Sequence, residues 1–108
     1  MSGAGALDVS SSMTNAESLL FTLKIIDDVA PSAYEWVYDL AGCQTLHLTE
    51  GDGITVNDGI ATVIIDPGAD YRLAPGTYKH GCIITDKVTG RVQQVFDGEI
   101  TVTWSPNA

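Results

Sequence analysis

Regular alternation of apolar and polar residues over positions 73–104 most strongly limits how this chain can fold. Apolar residues such as Ile100 and Val102 recur at every second position there, which places them on one face of a β-strand. Turn residues interrupt the alternation at 88–90 and again at 97–98. The stretch therefore predicts three antiparallel strands joined by two turns, with one face buried and one face in water.

The same alternation recurs upstream, in shorter segments. Strands are predicted over residues 19–26, 34–38 and 43–49, and a hairpin over 54–66 turns at Asn57-Asp58-Gly59. Turn signals every 8–12 residues are typical of an all-β sandwich of about seven strands, and they do not fit an α/β fold. A chain of 108 residues fits one such domain.

Residues 1–18 lack the alternation. They are small and polar, and Leu7, Val9 and Met13 are isolated apolar residues within them. Such a composition predicts either a disordered terminus or an extended arm that orders on a neighbouring protein through these three residues. We therefore predict a flexible N-terminal arm over residues 1–18 and a β-domain over 19–108.

The charge of the chain argues against two classes of partner. Five Lys and Arg residues stand against 14 Asp and Glu residues, which gives a formal net charge of −9. A field of this sign repels nucleic-acid phosphates and anionic membrane surfaces, so we expect neither as a partner. The first twenty residues contain no Lys or Arg and no long apolar run, which predicts synthesis in the cytoplasm.

No residue pattern typical of catalysis is present, so we predict a protein that is not an enzyme and has no cofactor. His47 and His80 are the only histidines, and the serines fall in the predicted arm and loops.

Cys43 and Cys82 are predicted to be free, buried thiols, with a disulfide between strands as the alternative. Cys43 and His47 would lie about 13 Å apart along one strand, too far for one zinc ion. The acidic residues of the turns are more typical of turn geometry than of a calcium site.

An aromatic stripe within the second predicted strand has two interpretations. Tyr34, Trp36 and Tyr38 alternate with Glu35 and Val37, so their rings share one face. Aromatic side chains contribute large burial energies, which favours the domain core or a subunit interface. The other interpretation is an exposed platform on which sugar rings stack.

Four segments carry a resemblance to a known family. They are Leu-Ala-Pro-Gly-Thr-Tyr-Lys-His at 73–80, Ile-Thr-Asp-Lys-Val-Thr-Gly at 84–90, Val-Phe-Asp-Gly-Glu-Ile-Thr-Val at 95–102, and Asp-Leu-Ala-Gly at 39–42. In this order they resemble a small β-sandwich of tailed-bacteriophage virions, similar to the N-terminal domain of upper baseplate proteins and to small decoration or accessory proteins. Ala41 departs from the usual Thr, and the aromatics at 34–38 depart from a polar turn. The resemblance, which spans residues 20–104, implies an immunoglobulin-like, non-enzymatic sandwich that attaches to a larger assembly.

These observations lead to one principal hypothesis and two alternatives. We expect a virion protein that decorates the capsid, contacts the major capsid protein through its arm and loops, and forms a homo-oligomer such as a trimer. The alternatives are a tail or baseplate accessory protein and a carbohydrate-binding, adhesin-like module. The residues predicted to contact partners are Leu7, Val9, Met13, Tyr34, Trp36, Tyr38, Leu73 and Tyr78.

Overall fold

A computed structural model describes residues 7–8, 10–24, 30–68 and 71–107 of the chain. Its regular structure there is β-strand apart from one short 3-10 helix, so the prediction of an all-β protein is confirmed. No helix among the described residues is long and apolar enough to cross a membrane. The strands are β1 (Leu7–Asp8), β2 (Ser11–Thr14), β3 (Phe21–Lys24), β4 (Tyr34–Ala41), β5 (Thr45–Glu50), β6 (Gly53–Asn57), β7 (Thr62–Ile65), β8 (Gly76–Asp86) and β9 (Val92–Thr103), and the 3-10 helix is Pro31–Ala33.

All nine strands belong to one hydrogen-bonded sheet, in the order β1-β9-β8-β4-β5-β6-β7-β3, with β2 following β1 along the same edge of β9. The long strands β4, β8 and β9 pair in antiparallel fashion. Two parallel pairs, Thr49 with Gly53 and Glu50 with Ile54, join β5 to β6. These few pairs divide the sheet into one half containing β9, β8, β4 and β5 and another containing β6, β7 and β3.

Two glycines make the tight reversal between these halves possible. Gly51 and Gly53 have φ angles of 85° and 92°, in the left-handed region that other residues rarely adopt. A Cβ atom at Gly53 would also lie 2.5 Å from the side chain of Leu48. Glycine at position 53 is therefore required by both conformation and space.

The two halves enclose one hydrophobic core. Tyr38, Tyr78 and Phe96 are its largest fully buried side chains in the first half. Ile54 and Val63 enter the same cluster from the second half. Burial of alternate residues along β4 and β8 follows the alternation seen in the sequence.

The predicted break at Asp97 and Gly98 is wrong, because β9 continues through it. Asp97 pairs with Gly81 and Gly98 pairs with His80, so the ladder between β8 and β9 is unbroken there. The irregularity lies one step earlier: Cys82 faces Phe96 whereas Ile83 faces Gln94, which leaves Val95 as the extra residue of a β-bulge. The Gln94 side chain donates to the Cys82 and Phe96 carbonyl oxygens and satisfies them at this point. Positions 73–104 therefore form two strands and one turn.

Part of the predicted arm lies on the sheet. β1 and β2 run parallel to β9, with Leu7 opposite Phe96 and Met13 opposite Val102. The Met13 side chain is half-buried against the core. These two strands raise the count from about seven to nine, because the long edge of β9 offers unpaired main-chain groups that an extended segment can satisfy. Val9 and the side chain of Leu7 lie outside the described residues, and the boundary at residue 18 stays a prediction.

Candidate functional site

Four of the residues predicted to contact partners lie in the core instead. Trp36 is 3% exposed, Leu73 is 1% exposed, and Tyr38 and Tyr78 are fully buried. Tyr34 is only partly buried and packs against the same core. The alternation correctly predicted that the residues within each strand share a face. That face is covered by the other half of the sheet and not by a partner protein. Buried rings at 36 and 38 cannot form the predicted sugar-stacking platform.

The histidine at position 80 belongs to a buried aromatic cluster. Its ring centroid lies 5.2 Å from that of Phe21 and 5.3 Å from that of Phe96. The Tyr38 hydroxyl is 2.9 Å from His80 Nδ1, in hydrogen-bonding contact. Burial raises the pKa of Tyr38 well above its usual range, so the hydroxyl stays neutral. This arrangement places a polar contact inside the aromatic cluster and stabilises the interior.

Tyr78 performs a second structural task at the start of β8. Its hydroxyl donates to the Ala74 carbonyl oxygen at 2.7 Å and lies 3.2 Å from Gln44 Oε1. The same Gln44 oxygen accepts the Ala74 N–H at 2.6 Å. A Cβ atom at Gly42 would lie 2.5 Å from the Tyr78 ring, so the 42–44 bend can approach this ring only with glycine there. These contacts fix the loop that leads into β8.

The two cysteines are both free thiols, but they differ in exposure. Cys82 is buried as predicted, and this burial, with a smaller effect from the charge of Asp39, raises the pKa of its thiol to about 12. Cys43 is exposed, which corrects the prediction of a buried thiol, because it lies in the bend before β5 and not within the strand. His47 contacts Asp39 across the surface of β4 and β5. Within the described residues, no three His, Cys, Asp or Glu side chains are placed to hold a metal ion.

One end of the molecule is formed by three neighbouring segments, which we call the apex: the 3-10 helix Pro31–Ala33, the β6–β7 turn at 58–61 and the β8–β9 turn at 87–91. The Ser32 N–H and hydroxyl donate to the two carboxylate oxygens of Asp58, at 3.0 and 2.6 Å. The Lys87 N–H donates to the Ala33 carbonyl oxygen at 3.2 Å. The hydrogen bonds from Ser32 lower the pKa of Asp58, so its carboxylate stays charged. The three segments therefore lie side by side in a fixed arrangement.

Each apex turn is also stabilised by its own side chains. Asn57 Oδ1 accepts the Gly59 N–H at 3.0 Å in the β6–β7 turn. Asp86 Oδ1 accepts the N–H groups of Val88 and Thr89 at 2.8 and 3.1 Å in the β8–β9 turn. Such bonds from Asx side chains hold a turn in one conformation before any partner arrives. A surface of this kind loses little conformational entropy on binding.

Exposed apolar side chains occur at the apex. Among the described residues five large apolar side chains are exposed, and three of them belong to the apex or its flank: Val88 at 93%, Ile60 at 62% and Val92 at 61%. Isolated exposed apolar residues are ordinary, but several on adjoining turns are typical of a protein-contact surface. These residues were not predicted as contact residues, although the sequence shows an isoleucine and a valine within turns that otherwise hold only small or polar residues.

Comparison with protein-family models and with curated proteins finds no match for the chain. Among the described residues, the apex is therefore the feature on which a functional proposal can rest, because it joins exposed apolar side chains to turns that Asx side chains hold by hydrogen bonds.

Proposed function

We propose that the protein is a non-enzymatic structural protein of a tailed-phage virion, which decorates the capsid by docking its apex on the major capsid protein. The observation that carries the proposal is the exposure of Val88 and Ile60 on turns whose main chain is hydrogen-bonded by Asx side chains. Covering one such side chain contributes about 1.5–3 kcal/mol, and pre-organised turns keep most of that free energy for binding. The assignment to a phage virion rests on the resemblance of the turn motifs and not on the apex.

An immunoglobulin-like arrangement of the sheet is part of the same proposal. The half with β9, β8, β4 and β5 would then face the half with β6, β7 and β3, and the N-terminal strands pair in parallel with the last strand. The hydrogen bond from Tyr78 back to Ala74 supports this assignment, since immunoglobulin domains carry such a tyrosine corner near the start of the second-last strand. If β3, β4, β8 and β9 are strands B, C, F and G, the apex is the end at which antibody variable domains bind antigen.

Charge and size are consistent with decoration of a repeated lattice. The net charge of −9 favours a partner surface rich in Lys and Arg, which would accelerate and orient docking. A small apex contact gains affinity when a homo-oligomer, such as a trimer at a threefold position, engages several lattice sites together. A tail or baseplate accessory protein would use the same apex at far fewer sites, so copy number separates that alternative.

Substitution of the apex tests the attachment directly. The double variant Val88→Asp and Ile60→Asp places charges where apolar contacts form, and both positions are exposed, so the fold should persist. We expect at least a tenfold loss of copies in purified particles, since losing about 1.4 kcal/mol of binding free energy already lowers affinity tenfold. Thr45→Asp, at an exposed position of β5 remote from the apex turns, is the matched control and should incorporate normally. Normal incorporation of the double variant, with an unchanged melting temperature, would overturn docking through the apex.

A further inference from the structure

We infer that β1 and β2 exchange between copies of the protein, so that these two strands of one chain pair with the edge of β9 in a second copy. This inference concerns self-association and goes beyond attachment through the apex. It would hold whichever larger assembly the apex contacts.

The contacts that hold β2 on β9 are mostly main-chain contacts, which an identical strand reproduces. Ser11 and Ser12 are exposed, and Met13 and Thr14 are half-buried. The side-chain contacts on this edge include the Glu99 N–H to Ser10 Oγ and the Thr103 hydroxyl to the Met13 carbonyl oxygen, at 3.1 and 3.4 Å. Every one of these bonds is available unchanged from a second chain. Exchange therefore sacrifices little buried surface, and it keeps the edge of β9 covered.

A short connection links this strand to the rest of the domain. Asn15 is the last residue held against β9, through its N–H to the Thr103 carbonyl oxygen at 3.0 Å. Leu19 is fully buried, and its N–H donates to the Tyr71 carbonyl oxygen. Residues 16–18 lie between these two anchors and form the hinge. Because the chain from Asn15 to Leu19 spans at most about 14 Å, an opened strand can reach only a copy that packs directly against the hinge.

The two remaining exposed apolar side chains border this hinge and give the second copy a surface to cover. Leu20, 56% exposed, lies two positions after the hinge, next to the buried Leu19. Trp104, 71% exposed, follows Thr103, and the adjacent Ser105 N–H donates to the Asn15 side chain at 2.8 Å. Tryptophan is among the residues that contribute most to protein interfaces. Exchange brings the body of a second copy against this region, which explains why both side chains are apolar although the single chain leaves them in water.

A disulfide trap distinguishes exchange from a closed chain. In a Cys43→Ser background, which removes the exposed native thiol, Ser12→Cys and Thr101→Cys place two cysteines at directly paired, exposed positions of β2 and β9. Exchange predicts that mild oxidation of concentrated protein yields covalent dimers or trimers on a non-reducing gel. The matched control combines Ser12→Cys with Thr77→Cys, which lies on β8, one strand beyond Thr101 and about 10 Å from β2. This control reports the background of accidental cross-links.

Light scattering supplies the second measurement. We expect the mass of the wild type to exceed that of one chain. In Trp104→Ser, the protein concentration at which the oligomer forms should rise at least tenfold. Val88→Ser, at an even more exposed apolar position near the opposite end of β9, should leave the mass unchanged. Higher salt should favour the oligomer, because each copy carries a net charge of −9. Exclusively intrachain disulfides at every concentration, together with a monomeric mass, would overturn the inference.

Discussion

At the scale of single residues, the pair Tyr38 and His80 shows how polar groups are accommodated in this core. Tyr38 is fully buried, and its hydroxyl contacts His80 Nδ1 at 2.9 Å. Replacing Tyr38 with Phe removes that bond while keeping the ring, so we expect a loss of about 1–2 kcal/mol in the free energy of unfolding. Urea denaturation measures this loss of stability. Tyr34→Phe, which removes a hydroxyl at a half-buried position, is the control. Equal stability of both variants with the wild type would show that the buried bond contributes nothing.

The carboxylate of Asp58 makes a pH-dependent contribution at the apex. Its pKa is lowered below the ordinary value of 3.8 by the side-chain and main-chain hydrogen bonds from Ser32. A carboxylate with a lowered pKa stabilises the folded state above that ordinary value, and the contribution is lost as the pH falls through the lower, folded value. Carboxyl NMR titration should therefore show Asp58 titrating below 3.8 in the wild type and closer to 3.8 in Ser32→Ala. An unchanged titration in Ser32→Ala would contradict the bond that joins the two apex segments.

At the scale of elements, the reversal between β5 and β6 decides whether the two halves of the sheet meet. Gly51 and Gly53 share a left-handed conformation, but a Cβ atom at 51 meets open space whereas one at 53 meets Leu48 at 2.5 Å. We expect Gly51→Ala to cost about 1 kcal/mol from backbone strain, and Gly53→Ala to cost about 2–4 kcal/mol because the Leu48 clash adds to it. Thermal denaturation of both variants gives the two stability losses, and their difference is the cost of the clash with Leu48. Equal losses would mean that Leu48 moves aside without cost.

Strands were predictable from the sequence because alternation is a local property of neighbouring residues. β4, β5, the β6–β7 hairpin and the turn before β9 fall where alternation and turn residues place them. Asp97 and Gly98 gave a false turn signal, because their pairing with Gly81 and His80 on β8 is a long-range contact that no local pattern records. The N-terminal strands were missed for the same reason, since their main-chain pairing with β9 requires no apolar alternation.

Four of the eight predicted contact residues are buried in the core, for a different physical reason. Alternation tells which residues share a face, but it does not tell whether that face meets solvent, a partner or the other half of the sheet. The stripe with Trp36 and Tyr38 was therefore assigned correctly to one face. Its burial depends on side chains from distant strands, such as Phe21 of β3, whose ring centroid lies 5.9 Å from that of Tyr38. The apex depends on the meeting of Ser32 with Asp58 and of Ala33 with Lys87, which are far apart in sequence.

At the scale of the whole molecule, the two proposed surfaces lie at opposite ends of one strand. β9 runs from Val92 beside the apex to Thr103 beside the hinge, 12 residues that span about 40 Å at the usual rise per residue. The described residues extend over 47 × 28 × 21 Å, so these ends are also separated along the molecule. Docking through the apex and exchange of N-terminal strands would therefore not compete. Their combination gives a linked set of copies, each with its apex free to attach.

The copy number of the protein in purified phage particles tests the central claim most directly. Quantitative mass spectrometry against the major capsid protein gives this number without altering the chain. Decoration of the capsid predicts hundreds of copies per particle, because a lattice repeats its docking site that often. A few to a few tens of copies would contradict decoration and place the protein on the tail or baseplate, and absence from particles would contradict a structural role in the virion altogether.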